Sequence, residues 1–393
     1  MNNETEALQA RRARLAAELK TEERIRAVFA KVPRHLFLPD QVWPKAVGAP
    51  LDRGTDPEGW AEHAYSNAPV ITQVNDGVSK SVHVPTSSSS APSVMATMLE
   101  AAEVTTGHRV LEIGTGSGFN AALLCELVGA HGHVVTMEVD AAVFARARHV
   151  LKANGYAPTV LHADGSSGYP DTAPYDAVIA TCAVVRVPRA WIEQTRARGS
   201  LVLPWSPGVT LPGGMMARLV VDPNTRRAQG RFIGDADFMA LRRQRNRRGA
   251  PPDSDTVVER TWRISGDARD LVLGGAGPQL ALMNPGTAMG FQPLPGQGPG
   301  HVWLADTDSH SWARLHPDGR VEQGGPGRLG ERILATHEFW QAQGAPALTE
   351  YGLSVDATGE HRVWLRAPAG PNWVHVPARD QARPDQGEQG RVP

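Results

Sequence analysis

The stretch Val110-Leu-Glu-Ile-Gly-Thr-Gly-Ser-Gly118 decides the fold of this chain. Its first four residues suit a buried strand, and they run straight into a turn that carries three glycines. Three glycines are more than a simple turn needs, and bare backbone lets N–H groups approach a ligand with no Cβ in the way. The pattern predicts a strand, a ligand-binding glycine loop and a helix, in that order. A phosphate-binding loop and a purely structural turn remain alternatives at this point.

Strands and helices alternate beyond this loop. Helices are predicted over residues 121–128 and 141–154. Four further strands are predicted over residues 134–138, 159–162, 175–181 and 200–204. Such alternation implies a mostly parallel sheet with helices on both faces, which is an α/β fold of the Rossmann-like, doubly wound type.

Acidic residues stand at the ends of two of these strands. Glu138 lies about twenty residues beyond the last loop glycine, where a carboxylate in a doubly wound sheet accepts hydrogen bonds from both hydroxyls of a ribose. Asp140 beside it is expected to cap the following helix. Asp164 is suited to accept a hydrogen bond from the exocyclic amine of adenine, and an ordinary turn aspartate is the alternative.

The spacing E-x-G-x-G-x-G resembles the S-adenosylmethionine loop of class I methyltransferases. Methylation of a base amine needs a proline-rich, aromatic tetrapeptide after the fourth strand, where this chain has Thr181-Cys-Ala-Val184. Cys182 could serve as a nucleophile, but a lone cysteine at a strand end is more often a small buried apolar residue. Metal-assisted methylation would need clustered acids near the loop, so no metal is expected.

An ordered series of motifs is similar to the protein-L-isoaspartate O-methyltransferase family over roughly residues 22–240. The motifs are Val32-Pro-Arg-His-Leu-Phe-Leu-Pro39, Ser88-Ser-Ser-Ala-Pro92, the glycine loop, Asp164-Gly165 with Gly168, Pro174-Tyr-Asp-Ala-Val-Ile179, Gly199-Ser-Leu-Val-Leu-Pro204 and Phe232-Ile233. The resemblance implies S-adenosyl-L-methionine as the cofactor and a peptide carboxylate as the methyl acceptor.

The resemblance also implies which residues form the site. In that family the serine of a T-I-S-x-P stretch contacts the substrate carboxylate, and the spacing places Ser90 in that position. Alternatively, the serines form a flexible polar loop that caps the helix after Pro92. Ser89 and Thr86 join Ser90 in the predicted catalytic set. The predicted cofactor set is Glu112, Gly114, Thr115, Gly116, Ser117, Asn120, Glu138, Val139, Asp164, Gly165 and Thr181.

The chain departs from the family on the side of the substrate. The serine run replaces bulkier residues, the stretch 67–84 is long, and the chain continues well beyond the catalytic region. These features resemble relatives that accompany lanthipeptide systems of the FxLD type. The predicted substrate is therefore an aspartate of a ribosomally made precursor peptide, whose methyl ester leads to a succinimide and then to isoaspartate. The alternatives are a general isoaspartyl repair enzyme and a catalytically silent peptide-binding module.

Composition bounds the location and the partners of the chain. A net charge of −1 over 393 residues gives no bias toward nucleic acid or anionic membranes, so neither is expected as a partner. Only two cysteines occur, Cys125 and Cys182, and both lie in buried-looking segments, which predicts reduced thiols. No apolar run is long enough to span a membrane, and the charged N-terminal region predicts no signal peptide, so a cytoplasmic enzyme is expected.

The predicted domains are a catalytic domain with N-terminal helices (1–245), a linker (246–255), an accessory α+β domain for substrate recognition (256–378) and a disordered tail (379–393). A cut within the linker is therefore expected to leave an intact sheet and cofactor site. The basic run 241–248 is either a solvated surface or a contact for an acidic peptide. The accessory region holds six tryptophans, which are either core residues or part of a peptide groove.

Overall fold

The computed structural model describes residues 2–45, 48–78, 80, 83–207, 214–245, 257–292, 300–306 and 309–375. The predicted linker and the predicted tail lie outside these residues. Among the residues described, no helix is both long enough and apolar enough to cross a membrane.

The α-helices are α1 (Asn2–Glu18), α2 (Glu23–Lys31), α3 (Pro57–Ala64), α4 (Pro92–Ala101), α5 (Phe119–Val128), α6 (Ala141–Ala153), α7 (Arg189–Gln194), α8 (Asp270–Leu273), α9 (Gly277–Met283) and α10 (Leu329–Ala342). The strands are β1 (Gln41–Val42), β2 (Leu51–Asp52), β3 (Val70–Val74), β4 (Pro85–Ser89), β5 (Arg109–Ile113), β6 (His133–Glu138), β7 (Thr159–His162), β8 (Tyr175–Ala180), β9 (Thr195–Trp205), β10 (Gly214–Val221), β11 (Ala228–Ala236), β12 (Arg260–Arg263), β13 (Thr287–Gln292), β14 (His301–Asp306), β15 (Trp312–Leu315), β16 (Arg320–Gly324), β17 (Tyr351–Val355), β18 (His361–Leu365) and β19 (Asn372–His375).

The central sheet has the strand order β19-β18-β17-β11-β10-β9-β8-β5-β6-β7. The neighbouring strands β9, β8, β5, β6 and β7 are parallel to one another. Val110 of β5 lies opposite Val134 of β6 and Ala177 of β8. The α/β fold predicted from the glycine loop is thereby confirmed. From β9 outward, however, every neighbouring pair is antiparallel. The sequence predicted only the parallel half, because β/α alternation does not extend beyond β9.

Helices cover both faces of the parallel half. On one face, α2, α4 and α5 contribute Phe29, Leu99 and Leu123 to a core that also holds Val110 of β5. The other face is covered by α7, whose Trp191 is completely buried. The strands are therefore apolar on both sides, as expected for a parallel sheet between two helical layers.

The region predicted as one accessory domain is divided in two. Strands β12 to β16 form a separate antiparallel sheet in the order β12-β16-β15-β14-β13, and residues from α8, α9 and α10 share its apolar core. Strands β17 to β19 instead continue the central sheet, because β17 pairs with β11 through Ala228 opposite Val355. The predicted boundary is therefore wrong in this respect: residues 351–375 belong to the catalytic sheet.

An aromatic seam joins these last strands to the parallel half. The ring of Trp205, at the end of β9, stacks on His361 with 6.4 Å between centroids and meets the edge of His375 at 5.2 Å. Val187 N donates to His361 Nε2 at 2.9 Å, and His375 Nε2 contacts Leu282 O at 2.6 Å. Burial lowers the pKa of both histidines to about 4, so both are neutral at physiological pH.

Candidate active site

One pocket opens at the carboxyl ends of β5, β6, β7 and β8, which is the usual ligand position in an open α/β sheet. It contains about 890 Å³ of empty space, part of which is open to solvent. The lining residues come from β4 and the serine that follows it, the glycine loop, the ends of the parallel strands and a segment after β11. They are Thr86 to Ser90, Met95, Ile113 to Ser117, Asn120, Met137 to Val139, Asp164, Gly165, Thr181, Cys182, Met239 to Arg242 and Arg245.

The glycine loop forms a wall that tolerates no side chain. Gly114 and Gly116 have φ values of +94° and +53°, a region that residues with a Cβ rarely adopt. A Cβ on Gly114 would lie 2.7 Å from Thr181 Oγ1, and one on Gly116 would lie 3.1 Å from Ser88 O. The loop therefore brings bare backbone to the pocket, as its sequence predicts.

Glu138 lies beside this loop at the end of β6. Its Oε2 accepts from Gly116 N and its Oε1 accepts from Asp140 N, both at 3.0 Å. A carboxylate has about four lone-pair sites, so two backbone hydrogen bonds leave acceptor capacity for a ligand. Asp140 caps α6 as predicted, since its side chain accepts from Ala142 N and Val143 N.

Asp164 lines the pocket beyond β7 and also caps a short turn. Its Oδ1 accepts from Ser166 N at 2.8 Å, and its Oδ2 forms an ion pair with Arg243. Asp164 therefore caps a turn and lines the pocket at the same time. Thr181 lines the opposite side, and its hydroxyl donates to Gly114 O at 2.6 Å.

Glu112 does not reach the pocket wall, which corrects the prediction that it contacts the ligand. It is fully buried behind the loop and accepts from Asn120 Nδ2 at 2.7 Å and from Thr136 Oγ1 at 2.6 Å. Burial raises the pKa of Glu112 to about 7. Glu112 therefore orients Asn120, which does line the pocket. Among the residues described, Asn120 Oδ1 has no hydrogen-bond partner, so it is available to a ligand donor.

Ser87 to Ser89 belong to β4, called the serine strand below, which pairs with β3, and Ser90 follows directly after it. The residue that precedes α4 is Ala91, which makes no side-chain cap, so the alternative of a serine loop that caps the helix is wrong. Strand geometry turns alternate residues to opposite sides. Ser87 and Ser89 are buried, whereas Ser88 and Ser90 are partly exposed.

The hydroxyl groups of the predicted catalytic residues differ in whether they already form hydrogen bonds within the protein. Thr86 Oγ1 donates to Gln73 Oε1, and Ser89 Oγ accepts from Arg34 Nε at 3.2 Å. In the described part of the chain, Ser90 Oγ has no hydrogen-bond partner. Of the three predicted residues, Ser90 is therefore the one whose hydroxyl is unengaged, while those of Thr86 and Ser89 are occupied.

Arg34 fixes the serine strand, a role that was not predicted although the residue lies in a quoted motif. It is fully buried and donates to Ser89 O, Ser90 O and three carbonyls of residues 64–68, besides Ser89 Oγ. Within the described residues no carboxylate pairs with it. Burial lowers the pKa of Arg34 to about 9, so the guanidinium keeps its charge at neutral pH.

The segment Met239–Arg245, which follows β11, covers one side of the pocket and was also missed as part of the site. Ala183 N donates to Met239 O at 2.9 Å, and Leu241 N donates to Ala183 O at 2.8 Å. The basic run in the sequence was the available signal, but its composition did not show that it folds against the pocket.

Cys182 lines the pocket as well. Burial raises the pKa of its thiol to about 12, so the sulfur is protonated at neutral pH and lacks the thiolate that a nucleophile requires. The protonated thiol argues against the nucleophile, but Cys182 is only partly buried and not the fully buried residue that the sequence suggested.

Comparisons with known proteins show that the catalytic half of the chain is similar to protein-L-isoaspartate O-methyltransferases. The family model described as protein-L-isoaspartate(D-aspartate) O-methyltransferase matches residues 9–211. A protein-L-isoaspartate O-methyltransferase of Ignicoccus hospitalis is 41% identical over 175 residues, which are 44% of this chain and 69% of the relative. A second, protein-L-isoaspartate O-methyltransferase 2 of Archaeoglobus fulgidus, is 35% identical over 192 residues, which are 49% of this chain and 74% of the relative.

A solved structure extends the likeness in fold. A chain described as protein-L-isoaspartate O-methyltransferase aligns with a TM-score of 0.52 at 19% identity, covering 91% of this chain and all of that chain. Coverage on this scale must include residues beyond Arg245, so the likeness in fold is not confined to the parallel half of the sheet.

Proposed function

Because the chain belongs to the protein-L-isoaspartate O-methyltransferase family, we propose that it methylates the free carboxylate of an isoaspartyl residue in peptides or proteins. It is an S-adenosylmethionine-dependent carboxylate O-methyltransferase. The observation that carries the proposal is the unengaged hydroxyl of Ser90, which lines the pocket directly after β4, the strand that passes close to the glycine loop. Ser88 O lies close to Gly116, so a peptide bound along this strand would lie next to the cofactor loop.

The residues of the pocket fit the cofactor. S-adenosylmethionine, when bound, supplies an electrophilic methyl group attached to a sulfonium. The bare backbone of Gly114 and Gly116 and the remaining acceptor capacity of Glu138 suit a nucleoside. The orphaned Oδ1 of Asn120 suits the ammonium group of an amino acid. Asp164 is suited to an adenine amine.

The reaction requires little acid–base catalysis from the protein. A carboxylic acid with a pKa near 4 is already ionised at neutral pH, so no general base is needed to make it a nucleophile. The carboxylate oxygen forms a bond to the methyl carbon as the bond from that carbon to sulfur breaks. Ser90 Oγ can donate to the carboxylate and orient it without neutralising it. Positioning and exclusion of water then supply the acceleration.

Substitution of Ser90 tests the proposal. Ser90→Ala is expected to lose at least about ten-fold in the rate of methyl transfer to an isoaspartyl peptide while keeping its affinity for the cofactor, because the hydroxyl only orients the substrate. Methyl transfer is measured as methanol released on hydrolysis of the ester. Ser93→Ala, a serine of α4 outside the pocket, is the control. Equal rates for Ser90→Ala and wild type would remove Ser90 from the site, and no methanol from wild type would contradict the function itself.

Substitution of Glu138 tests the cofactor half of the pocket. Glu138→Ala is expected to weaken cofactor binding by about 1.5 to 3 kcal/mol, since it removes charge-assisted hydrogen bonds to the ligand. Calorimetric titration with S-adenosylhomocysteine measures the change. Glu193→Ala, which removes an exposed carboxylate paired with Arg189, should bind as wild type does. Unchanged affinity in a folded Glu138→Ala variant would exclude the carboxylate from the cofactor site.

A ribosomally made precursor peptide, of the lanthipeptide type, is the more specific candidate substrate. The serine-rich β4 and the β3 hairpin that supports it are the features that favour a dedicated peptide. The C-terminal extension alone does not favour it, since a solved isoaspartate methyltransferase chain aligns over 91% of this chain. In this case the ester forms on a genuine aspartate, and the next backbone nitrogen displaces methanol to give a succinimide. Methanol release with a lanthipeptide precursor that contains aspartate, compared with a generic isoaspartyl peptide, distinguishes the two substrates.

A further inference from the structure

Two arginines at the rim of the pocket hold a single carboxylate between them. Arg242 Nη2 lies 3.0 Å from Asp76 Oδ1, and Arg245 Nη1 lies 2.8 Å from Asp76 Oδ2. Both arginines line the pocket, whereas Asp76 belongs to the turn between β3 and β4. We call Arg242 and Arg245 the arginine bracket. Each guanidinium takes one oxygen, which is a geometry suited to any carboxylate.

The bracket is held in place by contacts that do not involve Asp76. Between its two arginines, Gln244 Oε1 accepts from Val185 N at 2.8 Å and from Arg186 N at 2.9 Å. Arg242 also contacts Asp140 Oδ2 at 3.2 Å, and Asp140 is fixed as the cap of α6. The bracket would therefore persist if Asp76 withdrew.

Asp76 can be exchanged for another carboxylate at little cost. Its side chain is 40% exposed, and the two arginines are 33% and 39% exposed. Ion pairs with this exposure contribute little net stability. A carboxylate from a bound peptide could replace Asp76 while Asp76 returned to water, whereas a neutral side chain would gain nothing there.

The bracket also has a defined position along the serine strand. Asp76 N donates to Thr86 Oγ1 at 3.0 Å, so the bracket lies at the Thr86 end of this strand. Ser90 lies four residues further on, which corresponds to about 13 Å of extended chain. A peptide bound along the strand with its reacting carboxylate at Ser90 would bring a residue about four positions away to the bracket.

We propose that Arg242 and Arg245 form a second carboxylate site, which binds an acidic group of the peptide substrate about four residues from the one that is methylated. In the free enzyme Asp76 fills this site. The proposal rests on the proposed function, because it assumes a peptide whose reacting carboxylate lies at Ser90. It makes the enzyme selective for acidic peptides, a property that the net charge of the chain does not indicate.

The test uses the full-length enzyme and matched isoaspartyl peptides with blocked ends. Each pair carries Glu or Gln at one position, two to five residues to either side of the isoaspartate. At one position, Asp76→Asn is expected to prefer Glu by about five-fold in kcat/KM, through KM, which corresponds to about 1 kcal/mol. Wild type should show a smaller preference, because there the peptide carboxylate must displace Asp76. Adding Arg242→Gln and Arg245→Gln to Asp76→Asn should abolish the preference. Arg189→Gln, on an exposed helix, is the control. A further peptide carries Gln at that position as its last residue, with a free terminal carboxylate. Its rate shows whether the bracket also accepts the carboxylate of a chain end or only that of a side chain.

Other results would overturn the proposal. Equal rates for Glu and Gln peptides with Asp76→Asn at every position would show that the bracket binds no substrate carboxylate. Weaker binding of S-adenosylhomocysteine by the arginine variants would show that the bracket holds the cofactor instead. Failure of wild type to methylate any peptide would contradict the proposed function, and fluorescence anisotropy of the same labelled Glu and Gln peptides would still decide whether the bracket binds the carboxylate.

Discussion

A chain that ends at residue 249 is expected to be insoluble or unfolded, although it contains every strand that the sequence assigns to the catalytic domain. The cut removes β17 to β19 and leaves β11 as an uncovered edge of the central sheet. It also removes five side chains with at most 2% exposure from the core on one face of that sheet: Tyr351, Leu353, Val355, Val363 and Leu365. Burial of each contributes about 1.5 to 3 kcal/mol, and their sum of about 10 kcal/mol is comparable to the whole stability of a domain.

Solubility on expression and the thermal unfolding transition measure this effect. The matched control is a chain of residues 1–378, which removes only the polar tail and should unfold at the temperature of the full-length protein. A soluble 1–249 chain that unfolds cooperatively and binds S-adenosylhomocysteine normally would show that β17 to β19 are dispensable. That result would restore the boundary predicted from sequence.

The boundary was mispredicted for a physical reason. The signals around residues 246–255 are local: a basic run, then turn-forming residues. The pairing of Ala228 with Val355 joins residues far apart in the chain, and nothing in either strand alone specifies its partner. The apolar residues of His361–Leu365 alternate as in a strand, and the segment forms β18, but alternation does not reveal which sheet a strand joins.

The site was predictable to the extent that local pattern determines it. The glycine loop and the ends of β6 and β7 follow from sequence, since parallel strands place their carboxyl ends at one edge of the sheet. Glu112 was misassigned because a side chain inside a strand can point toward the pocket or into the core behind the loop, and the sequence does not show which. The arginine bracket was missed because its position depends on how residues 239–245 fold back onto Ala183.

Arg34→Met is expected to lower both the free energy of unfolding and the rate of methyl transfer. Measured together, the two losses show whether Arg34 only supports the fold or also positions the site. The substitution roughly preserves chain length but removes six hydrogen bonds, five of them to backbone carbonyls. Each buried acceptor left without a partner costs about 1 to 3 kcal/mol when no water replaces the donor. Allowing for partial hydration, we expect a loss of about 4 kcal/mol in the free energy of unfolding, measured by urea titration.

The same substitution should reduce methyl transfer by about a hundred-fold in protein that is still folded, because Ser89 O and Ser90 O lose the group that holds the serine strand against the pocket. Binding of S-adenosylhomocysteine should change little, since Arg34 makes no contact with the glycine loop. Arg14→Met is the matched control: it removes an exposed ion pair with Glu62, and such pairs contribute about 0 to 1 kcal/mol. Normal methyl transfer by a destabilised Arg34→Met variant would show that Arg34 has a role only in stability and none in positioning the site. A loss of activity with cofactor affinity intact would assign it to the positioning of Ser90, since general damage to the fold would weaken both.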